Sequence, residues 1–85
     1  MYRFLTAALV ACATVLATPS IALSIFRDEA AAQQHCPTDQ VVWLNLPTRI
    51  YHLKGQRWYA NTKTGAFVCR READADGNRE TRNGE

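Results

Sequence analysis

Serine and cysteine are scarce in this chain, and no long apolar run occurs beyond residue 23. Its 85 residues include only two serines, Ser20 and Ser24, and three cysteines. Both serines lie within or immediately after the leader described below, so a serine hydrolase, which needs an ordered nucleophile and base, is close to excluded. A chain of this length holds one small domain at most, and an apolar core stabilises such a domain only marginally. A covalent cross-link is therefore expected.

The first 22 residues have the three parts of a secretory signal peptide. Arg3 gives a short positive start, residues 4–17 are apolar except for two threonines, and residues 19–22 form a helix-breaking segment with small residues at positions −3 and −1. The pattern predicts a signal-peptide helix in the precursor and cleavage between Ala22 and Leu23. A periplasmic or secreted location in a bacterium follows, with membrane contact only through the signal peptide before cleavage.

Three alternatives for the leader stay open on the sequence alone. Ala17 and Ala32 are weaker cleavage positions, and the segment that ends at Cys12 resembles a lipoprotein box, in which Cys12 would carry the lipid. Retention as a membrane anchor is less favoured, because the apolar run is shorter than the ~20 residues needed to cross the hydrocarbon core of a bilayer.

The two cysteines that follow the leader, Cys36 and Cys69, predict one disulfide. An oxidising compartment favours pairing, and two cysteines allow only one intramolecular bridge. Closing this loop would stabilise the domain by roughly 3 to 4 kcal/mol if loop entropy dominates. Two free thiols and a shared metal site are the alternatives.

The mature chain divides into three parts by composition. Residues 23–35 contain three alanines and two glutamines, which favour helix but leave no continuing apolar face to dock, so we interpret them as a flexible arm. Residues 36–77 carry the hydrophobic runs and are predicted to form a small α+β domain. Residues 78–85 contain no apolar side chain and are predicted to be a disordered tail.

Short β-branched and aromatic runs define the predicted sheet. Runs of strand length occur at 41–45, 50–53 and 66–69, and breaks containing proline or glycine separate them. Residues 70–76 combine alanines with acidic residues, and Gly77 stands where a helix C′ glycine would. The expected fold is α+β, with a small three-stranded, mostly antiparallel sheet, a short C-terminal helix and one disulfide.

A set of residues at fixed spacing resembles a group of small, exported, uncharacterised bacterial proteins. Their shared core is of the type VVWVN…YH…GxRWYG…TKxGx[YF]. This chain has VVWLN at 41–45, YH at 51–52, GQRWYA at 55–60 and TKTGAF at 62–67. The resemblance covers Cys36 to about Gly77. It implies an exported protein and is almost silent about function.

The asparagine, Tyr-His and Ala-x-Ala-x-Gly elements are also remotely similar to the Ada-type metal-binding domain. In that domain a strand pair with a Tyr/Phe-His element precedes a helix, and cysteines hold zinc. This chain departs from the pattern at Gln56, where a cysteine would follow the Tyr-His element, and its tail has no Cys-x-x-Cys pair. The similarity therefore does not imply a thiolate zinc site.

Four residues of the mature chain have suitable chemistry for a tetrahedral metal site. His35, Cys36, His52 and Cys69 offer two imidazoles and two thiolates, the ligand types that bind zinc or copper. The adjacent His35-Cys36 pair is a poor chelate spacing, and oxidation of the cysteines would remove both sulfur ligands. A periplasmic metal-binding protein is thus the alternative functional hypothesis.

Aromatic and basic residues alternate in the middle of the domain. Residues 36–71 contain six basic side chains and one acidic one. Arg49, Arg57, Trp58 and Tyr59 are the candidate ligand-binding residues, because the guanidinium groups could bind an anion while a ring provides a stacking plane. Core packing is the competing interpretation for the rings. We expect Trp58 in the core and Tyr59 at the surface.

These patterns favour a non-catalytic envelope binding or structural module. The predicted disulfide opposes a cysteine nucleophile, and an acidic run on a short terminal helix is typical of a solvated face and not of paired catalytic carboxylates. No enzyme activity and no cofactor are expected. An anionic envelope polymer is the candidate partner, and nucleic acid is not expected because exported proteins rarely meet it.

Overall fold

The structure, a computed structural model, describes residues 22–85 of the chain. The elements in chain order are α1 (Glu29–His35), β1 (Val41–Asn45), β2 (Ile50–His52), β3 (Gly65–Cys69), α2 (Arg70–Ala75) and β4 (Arg79–Glu80). The predicted α+β class and short C-terminal helix are confirmed. The predicted signal-peptide helix, Cys12 and the Ala17 cleavage position lie outside the described residues. Between residues 22 and 85, no helix has the length and apolar character needed to cross a membrane.

The sheet has four strands in the order β3-β1-β2-β4. β1 pairs antiparallel with both β2 and β3, whereas β2 and β4 run parallel. The three predicted strands are therefore present, and two of the three pairings are antiparallel. The expectation of only three strands is corrected by the short strand β4, which makes the sheet mixed.

One face of the sheet carries the apolar core. Val42 pairs with Val68 and Leu44 pairs with Tyr51, so these side chains share a face, because side chains alternate along a strand. All four are at most 2% exposed, and Ala73 of α2 packs against them. Burial of a large apolar side chain contributes roughly 1.5 to 3 kcal/mol. This cluster is the main source of non-covalent stability.

Helix α2 ends in a Schellman motif at Gly77. The amide of Gly77 donates to the carbonyl of Asp74 at 3.1 Å, and the amide of Asn78 donates to the carbonyl of Ala73 at 3.0 Å. Gly77 has a φ of 86°, which costs little in a residue without a Cβ. The predicted C′ glycine is thus confirmed, and the motif turns the chain towards β4.

The prediction of a disordered tail at 78–85 is wrong where β4 joins the sheet edge. The amide of Arg79 donates to the carbonyl of Arg49 at 3.1 Å. The guanidinium of Arg70 in α2 reaches the Glu80 carboxylate at 2.6 Å. Backbone pairing and an ion pair require no apolar side chain. The composition of the segment therefore did not indicate a strand.

The prediction of a flexible arm at 23–35 is also wrong. The second half of this segment is helix α1, in which Ala32 is fully buried. Before the helix, Phe26 and Phe67 of β3 exchange two backbone hydrogen bonds of 2.9 Å. One buried alanine and a two-bond pairing dock the segment without a continuous apolar face, because the disulfide described next holds the end of α1 close to β3.

The predicted disulfide between Cys36 and Cys69 is confirmed. It joins the residue that follows α1 to the last residue of β3, 33 residues further along the chain. Cys69 is fully buried, whereas Cys36 is partly exposed. The bridge therefore ties the first helix of the domain to an edge strand of the sheet.

Replacement of Ala60 by glycine is expected to stabilise the domain. Ala60 has a φ of 54°, in the left-handed region where a Cβ costs roughly 1 to 2 kcal/mol. After allowance for the freer unfolded chain, the free energy of unfolding should rise by about 0.5 to 1 kcal/mol. Thermal melts of A60G are compared with A30G, the same change at an exposed position of α1, which should lose about 0.5 to 1 kcal/mol. A lower Tm for both variants would contradict this account.

Candidate functional site

A pocket of about 490 Å³ opens beside the sheet. Small-ligand sites typically have volumes of roughly 300 to 1,000 Å³. Three stretches of chain form the walls: the β1–β2 hairpin, the loop between β2 and β3, and the segment after β4. The lining is mostly amide and hydroxyl side chains around one indole: Asn45, Thr48, Ile50, His52, Trp58, Asn61, Thr62, Lys63, Thr81, Asn83 and Glu85.

The strand register places the pocket on the sheet face opposite the core. Asn45 pairs with Ile50, and Trp43 pairs with His52. These residues alternate with the buried residues of the core, so their side chains point to the other face. Helix α2 packs on the core face and does not cover them. The second face therefore offers polar side chains to the pocket.

Trp43 connects the sheet to the loop that forms the second wall. Its indole Nε1 donates to the Thr62 hydroxyl at 2.8 Å, and its ring packs edge-on against Phe67 with centroids 4.9 Å apart. Gly65 of β3 lies directly against this indole, because a Cβ added there would fall within 2.7 Å of three of its ring atoms. The missing side chain of Gly65 thus determines where Trp43 and Thr62 lie.

The segment after β4 forms the third wall. The Thr81 hydroxyl donates to the side-chain oxygen of Asn83 at 2.8 Å, and the Asn83 amide donates to the Glu85 carboxylate at 3.3 Å. The backbone amide of Trp58 donates to the carbonyl of Glu85, also at 3.3 Å, and joins this wall to the loop. The segment expected to be disordered therefore contributes three lining residues.

Besides the Trp58 indole N–H, three polar groups of the lining have no hydrogen-bond partner among residues 22–85. They are the Asn45 amide, the His52 imidazole and the Lys63 ammonium group. His52 is only 7% exposed, and its Nδ1 is buried without a partner. An unsatisfied buried polar atom costs roughly 1 to 3 kcal/mol.

The structure does not bring the four predicted ligand residues together. Only Trp58 lines the pocket. Arg49 reaches α2, where its guanidinium donates to the Asp76 carbonyl at 2.6 Å and to the Asp76 carboxylate at 3.1 Å. The guanidinium of Arg57 lies over the Trp58 ring, 5.0 Å from its centroid. Arg57 therefore adjoins the pocket through the indole, and Arg49 does not.

Trp58 and Tyr59 are both half-buried, so the expected division into a core Trp58 and a surface Tyr59 is not found. Trp58 lines the pocket, whereas Tyr59 packs edge-on against Phe67 with centroids 5.8 Å apart. Within the described residues the buried Tyr59 hydroxyl has no hydrogen-bond partner. Burial raises the pKa of the Tyr59 phenol, and the nearby Glu29 carboxylate raises it further. Residues 57–60 form turns, which have no regular alternation of buried and exposed side chains.

Replacement of Tyr59 by phenylalanine is expected to leave stability at neutral pH within about 1 kcal/mol of the wild type, because the buried hydroxyl lies beside Glu29 without a well-formed hydrogen bond. The pKa of Tyr59 lies above its ordinary 10.0, so as pH rises past 10 the unfolded phenol ionises first. In the wild type, the contribution of the neutral Tyr59 phenol to stability is complete below pH 10 and is lost as pH rises towards the folded-state pKa. Y59F has no phenol at this position and escapes that loss. Urea unfolding at neutral pH and above pH 10 should show a smaller alkaline loss in Y59F, and an equal loss would refute this.

Tyr51 provides an internal reference for that experiment. Burial also raises the pKa of the Tyr51 phenol, and its hydrogen bond to Asp74, 2.6 Å long, raises it further. Tyr51 is present in both the wild type and Y59F. Part of the alkaline loss should therefore persist in the variant, and the difference between the two proteins reports on Tyr59.

The four residues of the alternative metal site do not converge. The sulfur atoms of Cys36 and Cys69 are bonded to each other and are not free to bind an ion. The Nε2 atom of His35 contacts the Glu72 carboxylate at 2.7 Å. Among the described residues, two groups of potential ligands lie close together, both include a disulfide cysteine, and neither includes His52. The predicted four-residue set is therefore not assembled.

Comparison of the chain with protein-family models, curated proteins and solved structures found no match. The resemblance carried by the VVWLN, YH and RWY elements therefore stays a prediction. The functional argument depends on the geometry of the pocket.

Several lining residues were missed on sequence alone. Asn45 alternates with Trp43 in the first strand, so the sequence did contain a signal that both lie on one face. Thr62 and Lys63 stand in a polar loop that gave no reason to prefer them to their neighbours. Thr81 reaches the pocket only because β4 pairs with β2, and no pattern in the tail indicated that pairing.

Proposed function

We propose that this protein is a non-catalytic binding module of the bacterial cell envelope, and that its ligand is an anionic envelope polymer. The observation that supports it is the pocket on the open sheet face. There the Asn45 amide and the Lys63 ammonium group, which form no hydrogen bond among residues 22–85, lie in one lining with His52 and the Trp58 indole. Sites that recognise ligands typically combine an apolar surface with a few such groups.

A periplasmic or secreted location is part of this proposal. The leader has the order of charged, apolar and small residues that is typical of an export signal. The Cys36–Cys69 disulfide fits an oxidising compartment, where such bonds form and persist. The free ammonium group of Lys63 and the guanidinium of Arg57 near the pocket favour a ligand of negative charge.

The chemistry of the pocket favours binding over catalysis. Its lining contains no serine or thiol nucleophile. Between residues 22 and 85 no carboxylate hydrogen bonds to the His52 ring to fix its tautomer, as a general base of the hydrolase type requires. The amides and hydroxyls of the walls are suited to hydrogen bonding with a polar ligand and not to bond cleavage.

Cosedimentation of the oxidised protein, beginning at Leu23, with isolated envelope polymers tests the proposal. Peptidoglycan, lipopolysaccharide and a secreted acidic polysaccharide form the panel, and a neutral glucan is the control. At least one acidic polymer should carry the protein down at low ionic strength, and the bound fraction should fall as salt screens the charges. No binding to any of them, or binding to the neutral glucan alone, would overturn the proposal.

Elemental analysis of the same untagged preparation adds a second readout. The proposal expects no stoichiometric zinc or copper after purification. One metal ion per chain, together with free thiols, would favour the metal-binding hypothesis instead. The two experiments use a single sample, so a failure of folding or export affects both and is detected by measuring the disulfide content first.

A further inference from the structure

The chemical groups that line the pocket indicate which class of ligand it can bind. One indole is surrounded by three amides, at Asn45, Asn61 and Asn83, and by the hydroxyls of three threonines. Amides can donate and accept at the same site, and so can hydroxyls. A ligand that matches this lining needs many polar groups of both kinds, spread over a compact ring-sized body.

The Trp58 ring provides the only aromatic surface of that lining. The Arg57 guanidinium lies over this ring, 5.0 Å from its centroid. Arg57 is not among the pocket residues, so its guanidinium does not cover the part of the ring that faces the pocket. The face of an indole is electron-rich and attracts groups with partial positive charge. The C–H bonds on one face of a pyranose ring are such groups.

The pocket contains one cation, Lys63, and one anion, Glu85. Lys63 forms no ion pair among residues 22–85. Glu85 is the only acidic side chain of the lining, and it accepts a hydrogen bond from Asn83 at 3.3 Å. A single ammonium group suits a ligand unit with one negative group. It does not suit a dense polyanion, whose binding depends on many cations along a track.

We propose that the pocket binds an acidic saccharide, with the sugar ring on Trp58 and its negative group on Lys63. This inference rests on the proposed function and specifies its ligand. Asn45 and His52 line the pocket from the sheet side. The Asn45 amide forms no hydrogen bond among residues 22–85, so sugar hydroxyl groups can donate to it and accept from it.

Titration by ¹H–¹⁵N NMR tests the inference on the oxidised protein. The acidic probes are trigalacturonate, N-acetylmuramic acid and N-acetylneuraminic acid. Neutral trisaccharides serve as ring-only controls, and tripolyphosphate serves as a charge-only control. The chain has two tryptophans, so two indole N–H signals are expected, and Trp43 is hydrogen bonded to Thr62. At least one acidic sugar should shift the Trp58 indole signal and bind at least tenfold more tightly than the neutral sugars or tripolyphosphate.

Matched variants assign the effect to the pocket. K63Q should weaken binding of the acidic sugar by about tenfold and abolish its preference over the neutral one. K54Q removes the same charge from the chain's other lysine, which pairs with Glu29 outside the pocket, and should leave binding unchanged. W58A should lose binding at least tenfold. Because W58A can fail to fold, the comparison of the two lysine variants decides the outcome independently.

The outcomes separate this inference from the proposed function. Binding of an envelope polymer that K63Q and W58A leave intact, or the absence of any Trp58 shift with all three acidic sugars, would overturn the saccharide pocket and leave the envelope function standing. Tighter binding of tripolyphosphate than of any sugar would overturn it in favour of a charge-only surface. Loss of binding to every polymer and every sugar would overturn both proposals.

Discussion

Reduction of the Cys36–Cys69 disulfide is expected to lower the free energy of unfolding by roughly 3 to 4 kcal/mol and to lower the Tm strongly. The bridge closes a loop between residues 33 apart, and the loop-entropy description gives it roughly 3 to 4 kcal/mol of stabilisation. A domain of the size of residues 22–85 has a total stability of only about 3 to 9 kcal/mol. Loss of the bridge therefore removes a large share of the total.

The structure adds a local reason for this effect. Helix α1 is seven residues long, which is too short to be stable alone in water. It has one fully buried side chain, at Ala32. Without the covalent link to β3, little apolar burial holds the helix on the domain. We expect α1 to separate from the sheet first.

Circular dichroism melts with and without reductant provide the measurement, and C36S provides a genetic equivalent at the more exposed of the two sulfur positions. Both should lower the Tm strongly, and reductant should have no further effect on C36S. Cys36→Ala is a control without a hydroxyl group, so it separates loss of the bridge from any cost of placing a serine hydroxyl there. The stability losses in reductant, in C36S and in C36A should agree within about 1 kcal/mol. A reduced protein as stable as the oxidised one would show that the core alone is sufficient.

The sheet could be predicted because its strands carry the signal that strands usually carry. The segment Val41–Asn45 is rich in β-branched and aromatic residues. It forms a strand with a neighbour on each side, which is consistent with the burial of Val42 and Leu44. Strand β4 could not be predicted, since Arg79 and Glu80 enter the sheet through backbone hydrogen bonds and through the ion pair of Glu80 with α2. Such contacts depend on the tertiary structure, and composition does not reflect them.

The site was predicted less well, for a related reason. Trp58, one of the four predicted ligand-binding residues, lines the pocket, and it lies in a turn at residues 57–60 for which the sequence predicted no element. Ala60 has a positive φ, and this position has no glycine that would have indicated a turn. The pocket combines residues from three separate segments, and sequence proximity could not show that they meet.

Replacement of Gly65 by alanine is expected to destabilise the domain by about 2 to 4 kcal/mol and to weaken the pocket. An added Cβ would lie within 2.7 Å of three atoms of the Trp43 indole. Overpacking of this kind costs roughly 1 to 3 kcal/mol. Displacement of the ring also breaks the Trp43–Thr62 hydrogen bond, which contributes about 1 kcal/mol. Urea unfolding of G65A measures the stability.

A second variant separates the clash from the lost hydrogen bond. T62V removes the acceptor for Trp43 without adding bulk near Gly65, and should cost only about 1 kcal/mol. A smaller ring at the clashing position should relieve G65A, so W43F and G65A together should destabilise by at least 1 kcal/mol less than the sum of the two single changes.

Additive effects in that cycle would show that Gly65 and Trp43 do not contact each other as described. Coupled effects would show that a contact within the sheet, between Gly65 and Trp43, determines the geometry of the pocket. In that case Gly65 sets the position of the Trp43 indole, the indole holds Thr62, and Thr62 contributes to the wall beside Lys63. The sugar affinity of W43F and of T62V should then fall together, because both variants remove the same hydrogen bond. K54Q, which removes a side chain outside the pocket lining, should bind as the wild type does.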